Sequence, residues 1–111
     1  MNEGITIHSG NFEDEVVRSP IPVILDFWAA WCGSCKMLNF TLNQLAEEFA
    51  GRIKIGKVNV EEETLLAEQH QVITLPTLAV YQGGALVHKH AGALPKPRIA
   101  ALIQDMIAAE G

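Results

Sequence analysis

The sequence predicts an α/β fold, a mixed sheet with helices on both faces. Residues 23–27 (VILDF) are almost continuously apolar, as befits a strand covered on both sides. Strand-like and helix-like periodicities alternate through the first half of the chain, the pattern of βαβ crossovers. The second half ends in a hairpin signal, with Gly83-Gly84 between residues 77–81 (TLAVY) and 85–90 (ALVHKH), followed by a helical pattern.

Taken in order, residues 5–7 read as a short strand. Asn11 reads as the N-cap of a helix to about Arg18, with Glu13, Asp14 and Glu15 favourably placed in its first turn. Pro20 and Pro22 close that segment, and residues 23–27 form the next strand. In residues 35–50, Leu38, Leu42, Leu45, Ala46 and Phe49 recur at helical spacing, so one face is buried. Gly51 stands where that helix should stop. Residues 53–60 (IKIGKVNV) read as a strand and 61–70 as a short acidic helix. The hairpin follows, and residues 97–109 close the chain as a helix with Ile99, Leu102, Ile103, Met106 and Ile107 on one side.

A chain of 111 residues, 49% hydrophobic, suits one domain, residues 1–111. The net charge of −5 comes with scattered Lys and Arg residues and no basic stripe, which argues against nucleic acid or an anionic membrane as partner. The N-terminus lacks a positive n-region and a long apolar run, and no stretch is long enough to span a bilayer, so the chain reads as cytoplasmic.

Only two cysteines occur, Cys32 and Cys35. They lie in the run Trp28-Ala29-Ala30-Trp31-Cys32-Gly33-Ser34-Cys35-Lys36, between a buried strand and a helix. A sulfur at a helix N-terminus meets unpaired N–H groups and the positive end of the dipole, which favours its thiolate. Two intervening residues put the second sulfur one turn away, where it can resolve a mixed disulfide. A zinc site needs four ligands, and no second cysteine pair exists. A structural disulfide across so short a ring would constrain little of the unfolded chain. Redox exchange with other proteins is the better reading.

Asp26 is a carboxyl inside an apolar strand, so its pKa should be raised and suited to proton transfer. Lys57, on the next strand but one helix away, is a candidate neighbour. Leu75-Pro76 precedes a strand, where proline cannot donate to a ladder. His88 and His90 alternate on one face of a strand and are better read as solvated than as metal ligands.

Together these residues resemble the thioredoxin family. The likeness covers nearly the whole chain. It includes Asp26–Trp28, the Trp-Cys-Gly-x-Cys-Lys run at Trp31–Lys36, Lys57, Pro76-Thr77 and Gly92. It implies a thioredoxin fold and a protein disulfide reductase with no bound cofactor. Cys32 matches the attacking nucleophile, Cys35 the resolving thiol, Asp26 the buried proton carrier and Pro76 a cis-proline beside the site. Trp31, Gly33, Val60, Leu75, Gly92 and Ala93 match an apolar docking surface, with Ser34 inside the ring, and Trp28 matches a tryptophan packed beneath the site. The likeness also implies a monomer, disulfide-bearing clients, and a thioredoxin reductase that supplies electrons from NADPH through FAD.

Two departures stand out. Ser34 replaces the family's usual proline, and should make the pair somewhat less reducing. Phe40 replaces a kinking proline, which predicts a straighter helix with Phe40 packed on the domain or on a partner. A thiol oxidase or isomerase on the same fold, and a non-enzymatic binding subunit, are the alternative functions.

Overall fold

A computed structural model describes residues 4–110. Five strands form one sheet in the order β1-β3-β2-β4-β5. They are β1 (Ile5–Thr6), β2 (Val23–Trp28), β3 (Lys54–Asn59), β4 (Thr77–Gln82) and β5 (Ala85–Ala91). β1, β3 and β2 run parallel, while β4 and β5 are antiparallel to their neighbours. The apolar run at β2 therefore becomes a central strand, and five of its six residues are buried. The mixed sheet is the one expected.

The helices divide between two faces. α1 (Gly33–Glu48) and α3 (Lys96–Glu110) cover one of them. Leu38, Leu42 and Leu45 of α1 and Ile99, Ile103 and Met106 of α3 pack there on Ile24, Ile55, Leu78 and Val80. The other face is covered by a single π-helical turn, Glu13–Val17, and by α2 (Thr64–Gln69). Val16 and Leu66 pack there on Val23, Leu25, Phe27, Val58 and Ala79. Along β2, Ile24 belongs to the first cluster and Val23, Leu25 and Phe27 to the second. This alternation places Asp26 on the α1 side of the sheet.

Local chemistry moves several boundaries. Asn11 does not cap the first helical turn; Phe12 holds that position. The Asn11 amide instead closes the preceding loop, donating to the Thr6 carbonyl and accepting from the His8 N–H. α1 begins at Gly33, two residues earlier than its apolar period suggests, because Cys32 serves as N-cap. α2 is shorter than the acidic segment 61–70. Its end is tied down by buried His70, whose Nδ1 lies 2.8 Å from the Leu66 carbonyl and whose Nε2 lies 2.7 Å from the Tyr81 hydroxyl. The hairpin turn is as expected: Gly83 and Gly84 have φ of 62° and 81°, the left-handed pair a two-residue loop requires.

Candidate active site

The C-terminal ends of β2 and β3, the N-terminal end of β4 and the C-terminal end of β5 all lie at one end of the sheet. Phe27 pairs with Thr77, and Thr77 pairs with Ala91. The Val60 N–H donates to the Trp28 carbonyl at 3.0 Å, and the Gly92 N–H to the Pro76 carbonyl at 2.7 Å. Topology thus gathers Val60, Leu75, Pro76, Gly92 and Ala93 around the loop that leaves β2 and enters α1. The cysteines sit in that loop. Far apart in sequence, these segments are brought to one end of the sheet by strand register.

Cys32 and Cys35 form a disulfide with their Cα atoms 5.3 Å apart. The Cys32 sulfur accepts the Cys35 N–H at 3.2 Å, taking the place of a serine or aspartate oxygen at a helix N-cap. The Ser34 hydroxyl lies 3.6 Å from the same sulfur. A Cβ built on Gly33 would meet nothing within 4 Å, so the glycine answers no packing constraint and simply keeps the surface beside Cys32 low. Trp31 is 70% exposed next to it. Leu75-Pro76 is a cis peptide bond. Leu75 and Val60 are half-buried, Pro76 is buried and Ala93 is exposed, so the surface around the pair is mainly apolar.

Behind the disulfide, a cleft of about 710 Å³ runs between α1 and the sheet, lined by Cys35, Asp26, Trp28, Asn39, Lys57 and Asn59 among others. Asp26 is 1% exposed, and neither carboxyl oxygen has a hydrogen-bond partner among the described residues. Burial pushes its pKa up from 3.8 to about 7, against an opposing pull from the Lys57 charge. Asp26 and Lys57 are register partners on β2 and β3, which confirms the expected proximity. The Lys57 ammonium donates to the side-chain carbonyls of Asn39 and, at 2.8 Å, Asn43.

Several features escaped the sequence reading. Asn39 and Asn43 were not singled out, because two amides on a helix carry no pattern until Lys57 is placed beneath them. Ile73, 93% exposed two residues before Leu75, was also passed over; an isolated apolar residue ahead of a proline was the available signal. Phe40 does not pack on the domain. It is 64% exposed on the outer face of α1, which rules out the domain-packed alternative. His88 and His90 flank a shallow groove with Arg98 and Asp105 of α3. Among the described residues no group of three His, Cys, Asp or Glu side chains could hold a metal ion. No helix among them is long and apolar enough to cross a membrane.

A Cys-x-x-Cys pair at the head of a helix, with a buried carboxyl behind it, defines a thiol–disulfide oxidoreductase. Comparison with known proteins agrees. The Thioredoxin family model matches residues 3–105. The chain is 45% identical to the thioredoxin of Haemophilus influenzae over 107 residues, covering 96% of this chain and 100% of that one. It is 41% identical to the thioredoxin of Chlorobaculum thiosulfatiphilum, covering 87% and 90%, and 35% identical to thioredoxin 1 of a Nostoc species, covering 94% and 97%. The chain belongs to the thioredoxin family and is a protein-disulfide reductase acting on disulfide-bearing proteins.

Proposed function

We propose that Cys32 and Cys35 reduce protein disulfides in a two-step exchange with Asp26 as the proton carrier. The Cys32 thiolate attacks one sulfur of a client disulfide. A mixed disulfide forms and the first client thiolate leaves. Cys35 then gives its proton to Asp26 across the shared cleft and attacks the Cys32 sulfur. The second client thiolate leaves, the client has gained two electrons, and the Cys32–Cys35 disulfide remains. Lys57 tunes Asp26 through its charge. The client lies on Trp31, Gly33, Ser34, Val60, Leu75, Pro76, Gly92 and Ala93, with its backbone beside Leu75 as an added strand. A thioredoxin reductase carrying FAD and using NADPH restores the dithiol, and the cycle runs in the cytoplasm, on a single-domain monomer.

The observation that carries this reading is the Cys32 sulfur accepting the Cys35 N–H at the head of α1. That geometry favours negative charge on the sulfur expected to attack. The test is an insulin-type disulfide reduction assay driven by a dithiol. The parent should accelerate it and Cys32→Ser should not. Equal rates would overturn the assignment.

The Ser34 hydroxyl favours a second reading, an oxidase- or isomerase-like balance on the same site. A hydroxyl close to the Cys32 sulfur stabilises its thiolate and therefore the reduced pair. Redox equilibration separates the two, since a strongly reducing potential belongs only to the reductase.

A further inference from the structure

Lys57 reaches from β3 beneath α1, and its ammonium donates to two side-chain carbonyls, those of Asn39 and Asn43. These residues lie four apart, on one face of α1. Asp26, its register partner, has no hydrogen bond to either carboxyl oxygen among the described residues. The ammonium thus donates to two neutral dipoles, and its charge acts on Asp26 by its field. An ammonium donating directly to the carboxylate would bind it as an ion pair and hold it ionised.

We infer that Asn39 and Asn43 are positioning residues that hold the Lys57 ammonium off the Asp26 carboxyl and so keep that carboxyl able both to accept and to release a proton. The inference rests on the reading of Asp26 as proton carrier. It concerns how the carrier is set, not whether it serves.

Among the described residues, the other titratable or charged side chains lining the cleft are Cys35 and Lys36 from α1, and Glu62 and Glu63 ahead of α2. On β4 the register partner of Asp26 is Leu78, which is uncharged. Lys57 is therefore the nearby cation whose placement the two amides control, since Lys36 is exposed.

The test follows the Asp26 carboxyl carbon by NMR against pH, in the oxidised protein, where neither cysteine titrates. The variants are Asn39→Ala/Asn43→Ala, Lys57→Met, and the three substitutions combined. Removing the two amides frees the ammonium to donate to Asp26, and the midpoint should fall by about one pH unit. In the Lys57→Met background the same two substitutions should leave the midpoint where Lys57→Met alone puts it. An unchanged or raised midpoint on losing the amides, or an equal fall with and without Lys57, overturns the inference. Asn39→Asp is a second variant that keeps the side-chain shape. Its added carboxylate should offset the Lys57 field and raise the midpoint, and a fall would count against the inference. The readout does not depend on turnover. If Asp26→Asn left the reductase rate unchanged, the proton-carrier reading would fail, while the midpoints would still decide the positioning.

Discussion

Asp26 costs the fold stability for as long as it is ionised. Its folded pKa of about 7 lies above the ordinary 3.8, so between those values the folded chain holds a proton that the unfolded chain has released. The stability this proton brings is complete below the lower value and is lost as pH rises through about 7, after which the deficit is constant. A shift of that size corresponds to on the order of 4 kcal/mol. Asp26→Asn should therefore gain on the parent in urea unfolding at pH 8, by up to that amount, and gain little at pH 4. The resolving step of the parent should quicken as pH passes about 7, and the same variant should lose that rise. A stability gain independent of pH would contradict the assigned cause. At Ser34, the hydroxyl beside the Cys32 sulfur is absent from a proline variant. Ser34→Pro should be the more reducing protein in equilibration against a reference dithiol, and an equal or higher potential for it would sink the idea.

Elements show where packing, not hydrogen bonding, sets the limits. Gly56 in β3 faces the second apolar cluster. A Cβ there would come within 2.8 Å of Ile7 Cγ1 and 2.9 Å of Leu25 Cδ2. Gly56→Val should cost about 1–3 kcal/mol in urea unfolding, as overpacking does. A neutral result would mean that β1 and its following residues move aside freely. The strands and α1 were legible in the sequence because burial on one or two faces imposes a period. The ends of elements were less so. Asn11 has a cap's chemistry, yet its amide is used by the loop before it. Cys32 is no usual cap, yet its sulfur starts α1. In the site, the cysteines and Asp26 announced themselves as chemistry out of place: thiols at a helix head and a carboxyl in an apolar strand. Asn39 and Asn43 did not, since their partner lies across the fold. Between the two placements expected for Phe40, on the domain or on a partner, the sequence could not choose, because its exposure is set only once α1 is docked.

On the scale of the whole molecule, two apolar clusters on opposite sides of the sheet hold the chain together, and the disulfide lies at the end of that assembly. The disulfide spans a sequence separation of 3, so chain entropy assigns it about 2 kcal/mol. Reduction by dithiothreitol should leave the far-UV circular dichroism unchanged and lower the thermal midpoint by several degrees. Loss of the fold on reduction would contradict this, and would be fatal to an enzyme that must act from its reduced state.

The placement of the proposed docking residues outside the helix and strand interiors bears on how such a protein diversifies. Val60, Leu75, Gly92 and Ala93 stand in loops or at strand ends, Val60 and Leu75 against the margin of the second cluster, while the buried residues of both clusters come largely from helix and strand interiors. A substitution at exposed Ala93 falls mostly within about 0.5 kcal/mol, whereas truncating a core leucine costs about 2–5 kcal/mol. A duplicated copy of this gene can therefore drift in its recognition loops, trading one set of clients for another, while inheriting an intact scaffold and the same pair of sulfurs.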